Sequence, residues 1–312
     1  MERVLVTGGA GFIGSHVVEE LLSEGYEVAI LDNFKTGNKS NILDYEDKVK
    51  CYEMDLLDAT LINVISEFSP DYVIHHAAQV SVASSVNNII EDAEINILGS
   101  LNLINAIKDT QVKKIIFAST AAVYGNPIKL PVRTDFPVNP QSPYGLSKLS
   151  VENYLAMCAE LYNLKYTVLR YANVYGPKQD AHGEGGVVAI FADRLATNQG
   201  VAIFGDGSQT RDFIYVKDVA KANVKALKNG ENKVLNISTN TETSIIRLID
   251  LMKEKFSSNI VPSFLQERKG DIKHSRLSNE EAVKALSWQP SVTIEDGLEE
   301  TINHYQLKKQ FV

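Results

Sequence analysis

The 312-residue chain predicts an α/β fold, a doubly wound parallel sheet carrying a smaller C-terminal lobe. Two observations carry this expectation. Through the first half, short apolar runs alternate with longer segments of helical period, the pattern of stacked βαβ units. A glycine cluster, Thr7-Gly8-Gly9-Ala10-Gly11-Phe12-Ile13-Gly14, stands directly between the first apolar run and the first helical segment. After Asn173 the alternation stops and glycine-rich loops appear at Gly183–Gly186 and Gly205–Gly207. The second half should therefore form a lobe over the carboxyl edge of the sheet.

Element by element, strands are expected at Arg3–Thr7, Glu27–Leu31, Val49–Met54, Asp71–His75, Lys113–Ala118 and Lys165–Arg170. Helical patterns lie near Ile13–Ser23, Ala59–Glu67, Asp92–Lys108 and Ser147–Leu161, and in the second half near Val187–Thr197, Lys217–Leu227 and Ile245–Lys255. A chain of this length exceeds a typical single core. The expected division is a sheet domain at 1–172, with 213–238 returning to it, and a lobe made mainly of 173–312. No repeat or Pro/Ser-rich linker marks the boundary.

Composition narrows the function classes. Hydrophobic residues make up 44% and charged residues 22% of the chain, ordinary globular usage. The net charge is −8 and no run of Lys or Arg offers a phosphate-backbone footprint, so no nucleic-acid partner is expected. An anionic small substrate would be met by a few placed Arg residues. No stretch approaches the roughly 18 apolar residues of a membrane span, and no signal-peptide pattern precedes Arg3. A cytoplasmic protein without membrane attachment is the expectation. Cys51 and Cys158 stand far apart with no Cys or His at metal-ligand spacing, so both are read as reduced thiols and no metal is expected.

The glycine cluster has a specific chemistry. Gly8 permits a tight turn, Gly11 lets backbone N–H groups approach a pyrophosphate, and Gly14 lets helix and strand pack closely. The N-terminus of the following helix would face phosphates with its partial positive charge. Asp32 ends the second strand, where a carboxylate accepts hydrogen bonds from the adenosine ribose and repels a 2′-phosphate. No Arg follows it in Asn33-Phe34-Lys35. The sheet domain is thus Rossmann-type, and NAD is favoured over NADP. Asp55-Leu56, closing the third strand, is a weaker candidate for contacting adenine.

A second constellation lies at Ser142-Pro143-Tyr144-Gly145-Leu146-Ser147-Lys148. Four residues apart on a helix, Tyr144 and Lys148 share one face, so the ammonium can stabilise a phenolate and let Tyr144, ordinarily near pKa 10, act as a base. Ser119-Thr120-Ala121-Ala122-Val123-Tyr124-Gly125 follows a strand at the edge where ligands of open α/β sheets bind. Thr120 can hydrogen-bond the same substrate oxygen as Tyr144.

Over nearly its whole length the chain resembles the extended short-chain dehydrogenase/reductase family, and within it the nucleotide-sugar 4-epimerases. The pieces that carry the resemblance are Thr7–Gly14, Asp32-Asn33, His75-His76-Ala77-Ala78-Gln79, Asn96, Ser119–Gly125, Tyr144–Lys148, Arg170–Pro177, Gly205–Val219 and Arg268–Asp271. The resemblance implies a seven-stranded sheet, Tyr144 as base, Lys148 as a ligand of the cofactor ribose and Thr120 as their partner. It adds Phe12, Ile13, Asn33, Ala77, Ala78 and Asn96 to the cofactor contacts. It also implies homodimers packing two long helices per subunit, near Asp92–Lys108 and Ser147–Leu161. The implied reaction is epimerisation at C4 of a UDP-hexose through a 4-keto intermediate, with NAD regenerated in each turnover.

Similar 4,6-dehydratases place acidic residues directly after the Ser/Thr, whereas here Ala121 and Ala122 follow Thr120. Asn173, Arg211 and Arg268 match positions that grip the UDP diphosphate in similar epimerases, and Asp271 matches a uridine ribose contact. Guanidinium forks suit phosphate oxygens, although Arg211-Asp212 and Arg268-Asp271 also read as local ion pairs. The 176–186 loop lacks the Arg-containing pattern of glucuronate epimerases, and His182 is read as a loop residue. His75 and His76 are read as strand-end packing near the cofactor. Ser275 matches the position that gates the sugar pocket, where a small residue leaves room for a 2-acetamido group. Two alternatives stay open: another nucleotide-sugar oxidoreductase or dehydratase of the same family, and a non-catalytic NAD-sensing regulator.

Overall fold

A computed structural model of the protein describes residues 1–182, 186–267 and 272–310, with side chains through 307. The main sheet holds β1 Arg3–Thr7, β2 Glu27–Asp32, β3 Lys50–Glu53, β4 Tyr72–His75, β5 Lys114–Thr120 and β6 Lys165–Tyr171. The lobe contributes β7 Asn173–Tyr175, β8 Ala202–Phe204, β9 Thr210–Arg211 and β10 Phe213–Tyr215, and the chain then returns to the main sheet with β11 Lys233–Ile237. Two further short strands are β12 Thr243–Ser244 and β13 Ser263–Leu265. The seven-stranded sheet has the order β11-β6-β5-β4-β1-β2-β3 and every neighbouring pair is parallel. Strand order reverses at β1, which lies between β2 and β4, so a crevice opens beyond their carboxyl ends.

Side chains alternate across this sheet with period two. Val4, Val6, Ile30, Ile74 and Ile116 enter one apolar cluster, while Leu5, Leu31, Val73, Ile115 and Phe117 enter the other. Helices α1 Phe12–Ser23 and α8 Val216–Lys228 cover the first face; α2 Leu61–Phe68, α5 Gly99–Ile107 and α6 Pro143–Tyr162 cover the second. Because both faces are buried, the strands read as nearly continuous apolar runs.

The helix expected near Asp92–Lys108 begins earlier and is interrupted. Ser81 caps α3 Val82–Asn87, and Asn88 caps α4 Ile89–Ala93 by accepting from the Glu91 N–H. A π turn at Glu94–Leu98 then leads into α5. Such turns insert a residue and re-aim side chains; here the turn holds Asn96.

The lobe has its own core, in which α7 Val187–Ala196, α9 Ile245–Phe256 and α11 Ile294–Gln310 pack Phe191, Leu248, Met252, Leu298 and Ile302 together. The short helix α10 Glu280–Leu286 instead delivers Ala282 and Leu286 to the first sheet face. Residues 213–215 pair with β7 outside the main sheet, and the return of the chain consists of α8 and β11. Two buried carboxylates join the halves. Asp218 accepts from Ser291 N, Ser291 Oγ and Val292 N at 2.8–3.0 Å. Asp212 accepts from Thr239, Asn240 and Leu277 at 2.7–3.2 Å, and burial raises its pKa to about 6 against those donors.

The turn between β1 and α1 leaves no room for side chains. A Cβ on Gly14 would stand 2.1 Å from the Gly8 carbonyl oxygen. Gly14→Ala should therefore cost about 1–3 kcal/mol, the usual range for overpacking. Denaturant midpoints of the two proteins check it, and an unchanged midpoint would mean that the turn can relax.

Candidate active site

The glycine turn forms one wall of the crevice. Gly8 has φ +70° and sits against the loop after β4, its missing Cβ only 2.6 Å from the Ala77 nitrogen. The Ala77 N–H reaches Thr7 Oγ1 at 3.3 Å. Gly11 is the N-cap of α1; no side chain caps this end and no acidic residue occupies the first turn. Its N–H groups and partial positive charge are therefore free for an anion. Phe12 and Ile13 are half-buried; Phe12 meets His16 edge-on at 6.2 Å and Ile13 packs into the first sheet core and the lobe core.

Asp32 closes β2 with its carboxylate accepting from Ala10 N and Phe34 N, both at 2.9 Å. Gly37 lies against it, at a position where a Cβ would come within 2.7 Å of Oδ1. Burial raises the Asp32 pKa and the two N–H donors lower it. Each oxygen keeps a second lone pair for a further donor. The lysines that follow are held by carboxylates, Lys35 by Glu91 at 2.6 Å and Lys39 by Glu53 at 3.0 Å. Asn33 donates to Asp55 at 2.6 Å, joining the tips of β2 and β3. Leu56 is buried, and its carbonyl accepts from Asn102 at 2.7 Å. These features fit NAD: an uncapped helix end, a turn that excludes Cβ atoms and a carboxylate at the end of β2.

Across the crevice, Thr120 ends β5 and Tyr144 and Lys148 rise from the first turns of α6. Ser142 caps that helix by accepting from Gly145 N, and Pro143 occupies its first position. Thr120 Oγ1 accepts from Ala122 N at 3.1 Å, and the Thr120 hydroxyl lowers the pKa of the Tyr144 phenol. Tyr144 keeps part of its surface open, yet burial pushes its pKa up to about 12; the Thr120 hydrogen bond lowers it and Asp92 raises it further. Lys148 is 4% exposed. Its ammonium donates to the Ala118 carbonyl at 3.0 Å and lies 4.9 Å over the Phe117 ring. Burial lowers it to about 8, with Asp92 and then Glu152 acting in the other direction. Although Tyr144 and Lys148 share a helix face, their tips diverge, the ammonium toward the sheet and the phenol toward Thr120.

Sequence reasoning missed the groups behind this pair. Glu152, one turn beyond Lys148, binds Arg170 through Nε at 3.0 Å and Nη2 at 2.6 Å and accepts from the Ser119 hydroxyl. The Arg170 guanidinium stacks 4.8 Å over Tyr124, whose hydroxyl donates to Asn236 at 2.7 Å. The Glu152–Arg170 spacing follows no helical or strand period, so nothing in the sequence announced it. Asn96, expected among the cofactor contacts, is committed to protein groups: its amide donates to Gln79 O, Asp92 Oδ1 and Ser147 Oγ and accepts from Gln79 N at 2.9–3.1 Å. It ties the half-buried Ala77-Ala78-Gln79 loop to α6.

His75 bridges Thr7 at 2.7 Å and Ser100 at 2.8 Å, and burial holds its pKa well below the usual range. His76 stacks on Tyr171 and meets Asn223, with its pKa lowered to about 4 by burial. Among the described residues no group of three or more His, Cys, Asp or Glu side chains could hold a metal.

On the lobe side, Asn173 is exposed at the start of β7 and Arg211 on β9 donates to the Thr210 and Ile272 carbonyls at 2.8 and 2.6 Å. Arg268 and Asp271 lie outside the described residues, as do Gly183–Gly185 beside the exposed His182. Ser275 sits in an extended stretch pinned by Thr210 N to Lys273 O and Val132 N to Arg276 O. His274 and Arg276 both approach Glu242, at 4.0 and 3.9 Å.

Residues 4–238 match the model of the NAD dependent epimerase/dehydratase family. The UDP-glucose 4-epimerase of Mycolicibacterium smegmatis is 41% identical over 312 residues, covering 99% of this chain and 100% of that one. The crystal structure of UDP-glucose 4-epimerase with UDP-glucose from Thermotoga maritima superposes with a TM-score of 0.95 at 44% identity, covering 99% and 100% of the two chains. The UDP-N-acetylglucosamine 4-epimerase from Methanobrevibacter ruminantium, in complex with UDP-N-acetylmuramic acid, has a TM-score of 0.95 at 37% identity, covering 98% and 99%.

The placement of Asp32 makes a binding prediction. NAD should bind at least about tenfold more tightly than NADP, equivalent to about 1.4 kcal/mol, and Asp32→Ala should narrow that gap. Titration of both dinucleotides into both proteins checks it, and equal affinities in the unmodified chain would remove Asp32 from the ribose.

Proposed function

This chain belongs to the NAD-dependent epimerase/dehydratase family, and we propose that it is a UDP-hexose 4-epimerase acting on UDP-glucose and UDP-galactose. The observation that carries the reading is the meeting of Thr120, Tyr144 and Lys148 at the carboxyl edge of the sheet, with no carboxylate following Thr120. Ala121 and Ala122 leave dehydration without its acid. Residues 1–172 with the returning α8 and β11 form the cofactor half, and the rest is mainly the sugar-nucleotide lobe.

Gly8, Gly11 and Gly14 would seat the dinucleotide phosphates and Asp32 its ribose, with Lys148 on the second ribose. When bound, NAD supplies a positively charged ring that accepts the sugar's C4 hydride and returns it. Tyr144 takes the proton of the C4 hydroxyl and gives it back, and Thr120 holds the same oxygen. Burial holds the phenol up to about 12, so its activation needs positive charge beside it beyond what the protein supplies. Arg211 and Arg268 pair with the diphosphate, Asn173 contacts the same groups, and Asp271 contacts the uridine ribose.

Apolar side chains exposed on α3 and α4 (Val82, Val86, Ile89 and Ile90) and on α6 (Leu146, Met157 and Leu161) support a homodimer packed through these helices. Among the described residues no helix is long and apolar enough to cross a membrane, and Cys51 and Cys158 are both free. We place the enzyme in the cytoplasm, and the proposed interconversion of UDP-glucose and UDP-galactose would place it in galactose metabolism. Incubating the purified protein with UDP-glucose and separating the products by epimer tests the reading; absence of UDP-galactose, or stoichiometric release of NADH, would reject it.

Tyr144→Phe should bind NAD and UDP-sugar as before and lose about 10²–10⁴-fold in kcat, the usual contribution of a general base. Turnover close to that of the unmodified chain would place the base elsewhere.

Ser275 sets the sugar range. The small side chain should let UDP-N-acetylglucosamine and UDP-N-acetylgalactosamine interconvert as well, and Ser275→Tyr should crowd the acetamido group. At about 1–3 kcal/mol of overpacking, the kcat/KM ratio of N-acetylated to plain substrate should fall roughly 5–150-fold. A ratio that does not move would show that Ser275 is not the gate.

A further inference from the structure

Lys148 is a buried ammonium that touches a carbonyl and an aromatic face, and among the described residues no carboxylate comes within 4.0 Å of it. A charge so placed needs a counter-charge nearby. Glu152 is one neighbour, but its carboxylate is already matched by the bidentate Arg170 guanidinium. Asp92 is not matched in this way. It is 2% exposed, and the donors on its Oδ1 are two neutral amides, Gln79 Nε2 at 2.8 Å and Asn96 Nδ2 at 3.1 Å. Among the described residues no cation lies within 4.0 Å of Asp92 either. Asn96 Nδ2 also donates to Ser147 Oγ at 3.1 Å, and the Ser147 hydroxyl donates to the Tyr144 carbonyl at 2.9 Å. A short polar path thus runs from Asp92 to the backbone of the turn that carries Tyr144 and Lys148.

We propose that Asp92 is a positioning residue of this site: its carboxylate, anchored by Gln79 and Asn96, is the counter-charge of the Lys148 ammonium and fixes the Tyr144–Lys148 turn through Asn96 and Ser147. The assignment rests on the epimerase reading above. The charge of Asp92 would bear on two side chains of α6. Asp92 is the first of the groups that oppose the lowering of Lys148 by burial, and it adds to the raising of Tyr144. Of the other titratable groups on the surrounding elements, His75 and His76 after β4 are kept neutral by burial. Glu91 pairs with Lys35 and Glu94 is exposed. The 77–79 loop and the π turn meet Asp92 only through amides.

The sign of the effect follows. Turnover needs Tyr144 to release its proton, so the acid limb of the rate profile follows Tyr144. It needs the Lys148 ammonium, so the basic limb follows Lys148. Asp92 raises both, and removing its charge should carry both limbs to lower pH, by about one unit, the low end of the usual effect of a neighbouring charge. A purely structural role would lower kcat and leave the limbs in place.

The experiment is the pH profile of kcat/KM for UDP-glucose epimerisation by the NAD-loaded enzyme, for the unmodified chain, Asp92→Asn, Asp92→Ser and Asp92→Glu. The expected result is a bell displaced downward by about one pH unit in Asp92→Asn and Asp92→Ser, and restored toward its original position in Asp92→Glu even where kcat is reduced. Three outcomes overturn the assignment: limbs that stay put in the neutral variants, neutral variants that are folded yet inactive at every pH, or a chain that folds only with a carboxylate at position 92. An unmodified chain that shows no epimerisation at any pH would instead reject the underlying functional reading, so the two failures are distinguishable.

Discussion

The near-contact between Gly14 and the Gly8 carbonyl fixes much of what surrounds the site. It presses the start of α1 onto the end of β1, while Gly8 itself lies against Ala77 and so brings in the loop after β4. Two neighbouring elements and a loop some seventy residues further along meet in one turn because two positions carry no Cβ. From Ala77 the constraint passes to Gln79, whose backbone is held at both ends by the Asn96 amide, and from Asn96 to Ser147 on α6. The two walls of the crevice are therefore set relative to one another by a short polar chain anchored in a steric contact.

Buried charge is the second organising element, and it is placed where apolar packing alone would allow sliding. Arg170 and Glu152 fix β6 to α6 beneath the catalytic turn. Asp212 and Asp218 accept seven hydrogen bonds between them from the segments that join lobe and sheet. An unpaired donor in such a place costs about 1–3 kcal/mol, so each carboxylate penalises any register but one. The raised pKa of Asp212 shows the cost of this choice, since burial works against the ionised form that the N–H donors require.

Much of this was legible in the sequence, and the reason is local. The first six strands and the helices α1, α2, α6, α7, α8 and α9 announce themselves through apolar period and flanking glycines, and their observed limits differ from expectation by a few residues at most. The glycine turn, Asp32 and the Tyr144–Lys148 spacing are likewise short-range patterns. What stayed hidden depends on distance in the chain. Strand β11 is five residues whose only mark is that they lie beside β6. The strands of the lobe have two or three residues each and are defined by their partners. The long helix near Asp92 was drawn unbroken because a π turn leaves no clear trace in an apolar period.

The same distinction separates the Tyr144–Lys148 pair from the groups that surround it. Tyr144 and Lys148 are visible because a helix repeats every 3.6 residues, but the state in which they are held is set by groups from three other elements. Thr120 comes from β5, Asp92 from α4, Asn96 from the π turn and Ala118 offers its carbonyl from the middle of the sheet. Lys148 near 8 and Tyr144 near 12 lie on either side of where two exposed side chains of these kinds would stand, and both displacements begin with burial. A pair displaced in this way gives up its proton only when further positive charge enters the crevice. Burial thus favours the protonated phenol at Tyr144 and the uncharged amine at Lys148.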